Sequence, residues 1–167
     1  MAVREILCYP DPILKMVCEL VAELNQACDT LVQDLLDTML ASGHSVGVAA
    51  PQIGVSQRVV VVDVSNSKLG RENNHGQLVM INPEILEQSG QKIMREGCMS
   101  VPDYTGNVVR AEEILVQFLD RRGDQQVIRA TGFEAVAIQH ELDHLDGLLF
   151  LDRVSSLKTD LFRRKKR

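Results

Sequence analysis

Residues 139–144 read Gln-His-Glu-Leu-Asp-His, a pattern that can bind a metal ion and activate water. If the segment is helical, the imidazoles of His140 and His144 lie one turn apart on the same face, close enough to bind one cation. Glu141 then lies at the edge of the site, where its carboxylate can accept a proton from water. The pattern indicates metal-dependent hydrolysis, although two histidines at this spacing also occur by chance on ordinary surface helices.

The residues before the histidines favour a buried helix. Gly132 ends the preceding strand, and residues 133–138 form a mostly apolar run without proline or glycine. Val136 precedes His140 by one turn, so both imidazoles share a face with a core residue. A buried imidazole needs a partner for each nitrogen, which favours the metal site over the surface helix.

A second helix and a buried strand are predicted upstream. Two rows of leucine, valine and methionine indicate a helix over residues 29–40, packed on a sheet and capped by Gly43. Residues 58–64 are β-branched and almost wholly apolar, as in a buried strand. Residues 65–77 are polar and predict a surface loop, in which His75 is expected to be solvated.

Further strands follow before the histidine segment. Residues 78–81 predict a strand that ends in a turn at Asn82-Pro83. Residues 85–94 predict one hairpin, turning at a Ser-Gly pair, and residues 114–130 predict a second. These elements indicate the α+β class, with mixed or antiparallel strands packed around a late, buried, metal-binding helix.

Two segments near the start of the chain are irregular. Residues 4–14 predict an extended, turn-rich stretch that is not helical at its prolines. Residues 45–54 are small, which lets the backbone approach either another segment in a tight turn or a ligand. Gln52 is the only polar side chain after the Ala-Ala-Pro run and is therefore a candidate hydrogen-bond donor.

Length and composition predict an ordinary globular protein. The chain has 167 residues, 45% hydrophobic and 25% charged, which predicts a single domain over residues 1–167 with a short basic tail at about 161–167. The net charge of −5 argues against DNA or other nucleic acid as the main partner. No secretory signal or membrane-spanning stretch is expected, which predicts a cytoplasmic location, or an organelle if a transit peptide has been removed.

The four cysteines form no Cys-x-x-Cys pair, so neither a zinc ribbon nor a thioredoxin-type redox pair is indicated. Cys8, Cys18 and Cys28 are interpreted as small buried hydrophobes. Cys98 differs because of its neighbours, since residues 96–100 read Glu-Gly-Cys-Met-Ser.

With these segments in order, the sequence resembles the peptide deformylases, and the likeness covers most of the chain. That family is marked by Gly-φ-Gly-φ-Ala-Ala-Pro-Gln, Glu-Gly-Cys-φ-Ser and Gln-His-Glu-x-Asp-His, where φ is apolar, and residues 45–52, 96–100 and 139–144 match them in turn. Two positions depart from the pattern. Ser45 replaces the usual first glycine, which costs about 1 kcal/mol if that backbone needs a positive φ. Met99 stands where leucine is commoner.

The resemblance implies a metal centre formed by Cys98, His140 and His144. A thiolate and two imidazoles leave an open fourth position, as a catalytic site requires. The family uses Fe²⁺, which is the expected ion here, with Ni²⁺, Co²⁺ or Zn²⁺ as alternative occupants of the site.

The implied reaction removes the N-terminal formyl group from the formylmethionine of newly synthesised polypeptides and releases formate. Glu141 would activate the water on the metal. The side-chain amide of Gln52 and the backbone N–H of Met99 would stabilise the developing oxyanion.

The resemblance also implies how N-formylmethionyl peptides bind. The peptide would lie extended beside Val46 and Gly47, and Arg110 would lie near its backbone. The methionine side chain would enter an apolar pocket, although the same residues are equally compatible with plain core. The pocket residues are Val46, Phe133, Val136 and Ala137.

The basic end of the chain, residues 161–167, has two interpretations. A charge run is usually a solvated tail, whereas the family docks on the ribosome through a C-terminal helix.

For the whole chain, the competing functions are a zinc endopeptidase and a homologue that binds peptide or metal without catalysis. A zinc endopeptidase of this type takes its third metal ligand from downstream, and this sequence has no histidine or cysteine after His144. A non-catalytic homologue would not need the complete set of site residues.

Overall fold

The structure, a computed structural model, describes residues 2–164. The strands of the described range are β1 (Gly47–Ala49), β2 (Val59–Val62), β3 (Leu78–Ser89), β4 (Lys92–Cys98), β5 (Val101–Arg110), β6 (Glu113–Leu119), β7 (Gln125–Thr131) and β8 (Leu161–Arg163). The α-helices are α1 (Gln26–Ser42) and α2 (Gly132–Leu145), and short 3-10 helices span Pro12–Lys15, Ala50–Ile53 and Phe150–Arg153. A five-stranded sheet has the order β1-β2-β3-β6-β7 and a three-stranded sheet has the order β4-β5-β8, all pairs antiparallel. The predicted α+β class is confirmed.

Strand β2 lies at the centre of the core, with a helix against each of its faces. Val60 and Val62 pack in one apolar cluster with residues of α2, while Val59 and Val61 pack in another with residues of α1. All four valines are fully buried. The continuous apolar run at residues 58–64 therefore reflects a strand covered on both faces.

Helix α1 is longer than predicted but ends as predicted. It begins three residues before position 29 because the side chain of Asn25 accepts a hydrogen bond from the backbone N–H of Cys28, which caps the first turn. It ends at Gly43, which adopts a left-handed φ of 77°. None of the helices within residues 2–164 is long and apolar enough to cross a membrane.

The first predicted hairpin is wrong and the second is confirmed. Strand β3 pairs with β2 and β6, whereas β4 pairs with β5 in the other sheet, so the chain changes sheets after Ser89. Gly90 makes this change of direction with a φ of 72°. The local Ser-Gly turn signal was real, but the partners of the flanking strands are set by long-range packing. β6 and β7 form the second hairpin around residues 121–124.

The predicted turn at Asn82-Pro83 is instead a bulge within β3. Asn82 has a φ of 52°, and the pairing with β6 shifts register between Ile81 and Glu84. The Asn82 side chain accepts from the backbone N–H of Val21 and donates to its carbonyl, so the bulge is fixed by the N-terminal segment.

Three smaller predictions are also wrong. Cys8 is exposed rather than buried, whereas Cys18 and Cys28 are buried as expected. Pro12 begins a 3-10 helix, which is compatible with proline at a first helical position, and Asp11 caps it by accepting from the N–H of Ile13. His75 is not simply solvated, because its Nδ1 lies 2.5 Å from Oε1 of the buried Glu134. This pair ties the loop of residues 65–77 to the first turn of α2.

The C-terminal segment is a strand rather than a helix over its described part. β8 pairs with β5, with Phe162 opposite Thr105, and the backbone N–H of Arg164 donates to the carbonyl of Asp103. Residues 161–163 are thus part of the folded three-stranded sheet, and Arg164 is held beside it by this hydrogen bond. The remainder of the predicted basic tail, residues 165–167, lies outside the described residues.

Candidate metal centre and active-site cleft

Cys98, His140 and His144 meet in the interior of the protein. Their ligand atoms all lie within 4.8 Å of one another, and Sγ of Cys98 is 3.4 Å from Nε2 of His144. Cys98 is the last residue of β4, and the histidines lie one turn apart on α2. A register shift between Gly97 and Cys98 places a bulge at the sulfur, and bulges of this kind re-aim a side chain.

Glu96 fixes the orientation of His140. Its Oε1 accepts from Nδ1 of His140 at 2.8 Å, so the other ring nitrogen, Nε2, is left for the shared centre. Nε and Nη2 of Arg110 donate to the two Glu96 oxygens, each at 2.8 Å. Burial by itself raises the pKa of Glu96, but the hydrogen bonds from Arg110 and His140 outweigh it and lower that pKa to about 2. The carboxylate therefore stays ionised.

The structure places Arg110 away from the substrate-binding position expected from the sequence. Its side chain is 2% exposed and also donates from Nη1 to Asp143 at 2.6 Å. Arg153 completes the network with two hydrogen bonds to Asp143, at 2.5 and 2.8 Å. Arg110 borders a separate polar cavity of about 960 Å³ on the opposite face of α2. Because its donors are occupied by two carboxylates, Arg110 acts as a support for Glu96 rather than as a contact for a peptide.

Glu141 lies beside the three candidate ligands with one carboxylate oxygen free of partners. The residue is 4% exposed, and Oε1 has no hydrogen bond within residues 2–164. Burial is the largest cause that raises the pKa of Glu141, to about 7. A Cβ at Gly47 would lie 2.7 Å from Oε2 of Glu141, so only glycine leaves room for this carboxylate.

Gln52 is oriented by its surroundings toward Cys98. Its Oε1 accepts from the backbone N–H of Ala49 at 2.9 Å, which assigns Nε2 to the opposite side. Nε2 donates to Oγ of Ser100 at 3.1 Å and lies 3.5 Å from Sγ of Cys98. Gln52 is 1% exposed and belongs to the 3-10 helix Ala50–Ile53. Met99 is the first residue of the short turn between β4 and β5.

Ser45 causes no backbone strain. Asn82 is the one non-glycine residue with a positive φ among residues 2–164, so the cost foreseen for a serine at this position does not arise. The hydroxyl of Ser45 donates to the carbonyl of Gly47 at 2.9 Å, which helps to hold the backbone that faces Glu141.

A cleft of about 650 Å³ opens onto the centre. Val46, Phe133, Val136 and Ala137 form an apolar part of its wall, and Gly47 lines it as well. Val46, Phe133 and Ala137 also pack against or within the core cluster of α2, and Val136 is 2% exposed, so these residues both line the cleft and fill the core. Cys98, His140, Glu141, Gln52 and Met99 border the same cleft.

The donor set fits a catalytic metal ion. Burial lowers the pKa of His144 well below its usual value, which keeps this imidazole neutral and able to bind a cation. One sulfur and two nitrogens suit Fe²⁺, Zn²⁺, Co²⁺ or Ni²⁺ rather than Mg²⁺ or Ca²⁺, and three protein ligands leave a position open. With a carboxylate, an amide donor and a cleft beside the site, the fold and centre define a mononuclear metal-dependent hydrolase.

Comparison with known proteins identifies the particular family. Residues 3–160 match the family model "Polypeptide deformylase". A peptide deformylase of Thermodesulfovibrio yellowstonii is 44% identical over 99% of this chain and 97% of that protein, and one of Xylella fastidiosa strain M12 is 48% identical over 99% and 95%. The crystal structure of a Legionella pneumophila peptide deformylase has a TM-score of 0.85 at 43% identity, covering 94% of this chain and 89% of that one. The crystal structure of an Ehrlichia chaffeensis peptide deformylase in complex with actinonin has a TM-score of 0.87 at 39% identity. The match covers 95% of this chain and 92% of that one.

The chain therefore belongs to the polypeptide deformylase family. These enzymes remove the formyl group from the N-terminus of newly made polypeptides with the help of a metal ion, and this is the activity of the chain.

Sequence reasoning missed four residues that support the site. Glu96 could have been found, because it lies two residues before Cys98 on a strand and so shares its face. Asp143 lies within the matched segment, but its partners depend on the distant Arg110. Ser100 also lies within a matched segment, residues 96–100, but its partner Gln52 is 48 positions away. Arg153 carried no signal, because its hydrogen bonds to Asp143 arise only from the fold.

Proposed function

We propose that Cys98, His140 and His144 hold one divalent cation, with Fe²⁺ as the resident ion, and that the chain uses it to hydrolyse the formyl group of N-formylmethionyl peptides. The observation that carries this proposal is the convergence of one thiol and two imidazoles beside a buried carboxylate. When bound, such an ion polarises a carbonyl and makes water more acidic.

Glu141 is the proposed general base and acid. Its partnerless Oε1 accepts the proton of the attacking water and later returns it to the leaving amine. The surroundings support this role, because burial strengthens its affinity for a proton while the adjacent Gly47 leaves the carboxylate accessible. Formate and a free N-terminal methionine result.

The oxyanion that develops on the formyl group needs donors held in place before the reaction. Nε2 of Gln52 is aimed at the centre by the hydrogen bond between its Oε1 and Ala49. The backbone N–H of Met99 in the turn after Cys98 is the second proposed donor. Donors that are already oriented stabilise the oxyanion without a cost for reorientation during the reaction.

The peptide is proposed to bind as an additional strand along β1. This strand is at the edge of the five-stranded sheet and borders the cleft through Gly47. The methionine side chain would occupy the apolar wall formed by Val46, Phe133, Val136 and Ala137. By analogy with the Ehrlichia complex, actinonin should compete with peptide for this cleft.

A formate-release assay on anaerobically purified protein tests the function. Formyl-Met-Ala-Ser should yield formate, whereas a matched peptide without a formyl group and with only internal bonds should remain uncleaved. Metal analysis of the same sample should find one iron per chain. Internal cleavage without formate release would favour the endopeptidase, and metal or peptide binding without turnover would favour a non-catalytic homologue.

We also propose that the protein works in the cytoplasm, or in an organelle with formylated initiation, and that its basic end contacts the ribosome. Because β8 belongs to the folded sheet, removing residues 161–167 would disturb the fold as well as any docking. A chain that ends at Arg164 is the better test. Loss of ribosome co-sedimentation with full activity on short peptides would support docking, and unchanged co-sedimentation would contradict it.

A further inference from the structure

Two arginines that form no ion pair within the described part of the chain, residues 2–164, lie at the rim of the active-site cleft. Arg95 is on β4 and Arg164 directly follows β8, and both line the cleft beside Gly97 and Cys98. Both are exposed, and neither forms an ion pair with any residue in the range 2–164. Because the chain has a net charge of −5, two guanidinium groups that form no ion pair within residues 2–164 are unexpected at the cleft.

The strand register brings the two side chains onto the same face of the three-stranded sheet. Gly97 is opposite Thr105, and Thr105 is opposite Phe162. Arg95 is two residues before Gly97, and Arg164 is two residues after Phe162, so both share the face of this row. The two arginines reach across the sheet in opposite directions.

Contacts hold both guanidinium groups in place without neutralising them. The Arg95 guanidinium carbon lies 3.7 Å from the centroid of the Phe162 ring, a cation–π contact. Nη2 of Arg164 lies where any side chain at position 97 would be, because a Cβ there would be only 2.6 Å away. Gly97 therefore leaves room for the guanidinium group of Arg164 directly beside Cys98.

The acidic groups of the cleft do not cancel this charge. Glu96 is occupied by Arg110 and His140, and Glu141 is the proposed base at the centre. His44 and the candidate ligand His140 are the other basic-type side chains in the lining of this cleft. The rim around Gly97 is thus a positive region of the same cleft that has no ion-pair partner within residues 2–164.

We propose that Arg95 and Arg164 make this enzyme prefer formylated peptides that carry an acidic side chain at the second or third residue. The inference rests on the proposed function, since it requires the peptide to lie in this cleft. Guanidinium groups pair with carboxylates through two parallel hydrogen bonds, which a neutral amide of the same shape does not match. The end of the chain thereby takes part in substrate selection.

Matched peptides test the preference. The value of kcat/KM is measured for formyl-Met-Glu-Ala-Ala and formyl-Met-Ala-Glu-Ala, each against the peptide with Gln in place of Glu. The wild-type enzyme should favour Glu over Gln by about fivefold at one of the two positions at low salt, as partly exposed charge pairs allow. The preference should shrink as ionic strength rises.

Variants assign the effect to these side chains. Arg95→Gln combined with Arg164→Gln should reduce the Glu-to-Gln ratio to about one and leave the Gln peptides within about twofold of wild type. Arg122→Gln, in the turn between β6 and β7, is the matched control and should keep the preference. The Gln-peptide activity and the thermal unfolding midpoint show whether each variant is folded.

The outcomes separate this inference from the function on which it rests. Equal rates on Glu and Gln peptides in the wild type, or a preference that survives the double substitution, would overturn the inference while the deformylase activity stands. No formate from either peptide would overturn both.

Discussion

The two sides of α2 differ in how their charged side chains are paired. On the side of the polar cavity, Arg110 and Arg153 both form ion pairs with Asp143, and Arg110 also pairs with Glu96. Every charge in this network therefore has a partner. On the cleft side, Glu141 keeps an oxygen that has no hydrogen-bond partner among residues 2–164. Paired charges fix positions, whereas an unpaired group keeps its bonding capacity for substrate and water. The helix therefore separates a supporting face from a reacting face.

The largest expected effect tests the reacting face. Glu141→Gln should lower kcat for formyl-Met-Ala-Ser by about 10³–10⁴, since a neutral amide cannot accept the proton of water. Metal content should stay at the wild-type level, because Glu141 is not one of the three candidate ligands. The thermal midpoint should not fall, because Oε1 has no hydrogen bond to lose. Activity that survives the substitution would remove Glu141 from the mechanism.

The supporting face should respond in stability instead. Arg110→Met leaves Glu96 and part of Asp143 as buried carboxylates without their main partner, which should cost about 3–5 kcal/mol in the free energy of unfolding. Urea unfolding measures this. Arg129→Met, at a partly exposed pair with Glu113, is the control and should change stability by less than about 1 kcal/mol. A stable Arg110→Met protein would show that the network is not a support.

Gln52 borders the cleft that the reacting face of α2 also borders, but it lies on the 3-10 helix Ala50–Ile53. Gln52→Leu keeps a similar volume but removes Nε2, and should lower kcat by about 10²–10³ with little change in metal content. Ser100→Ala is the companion variant, because it removes a partner of Nε2 but no proposed oxyanion donor. It should cost clearly less activity than Gln52→Leu, and equal losses would contradict the role of the amide.

The smallest effect is expected at the outer end of the network. The side chain of Arg153 is 44% exposed, so solvent screens its contact with Asp143. Arg153→Gln should lower the free energy of unfolding by at most about 1 kcal/mol and change kcat/KM by less than about twofold. A loss as large as that of Arg110→Met would mean that the network depends on its exposed end.

The sequence predicted the chemistry better than the architecture. The spacing of His140 and His144 dictates a shared helix face, and the match of three motifs supplied Cys98, which no local pattern connects to α2. Helix α1 and β2 were predictable because apolar periodicity and β-branched runs are local signals. The first hairpin failed because the choice between two sheets depends on contacts far along the chain.

The positions of two arginines were also beyond sequence reasoning. Arg110 was predicted at the peptide, but its burial with Glu96 and Asp143 depends on residues 14 and 33 positions away. Arg164 was part of a supposed tail, and only the pairing of β8 with β5 brings it to Gly97. Long-range register of this kind leaves no trace in local composition.

The central claim is that one sulfur and two imidazole nitrogens bind a single catalytic ion. X-ray absorption at the metal edge of anaerobically purified enzyme measures this directly. A Cys98–His140–His144 site predicts one sulfur and two imidazole nitrogens around the ion, with the sulfur signal lost in Cys98→Ser. In a zinc-loaded sample these neighbours should lie at about 2.3 Å and about 2.0–2.1 Å. An ion surrounded by nitrogen and oxygen alone in the wild-type enzyme would contradict it.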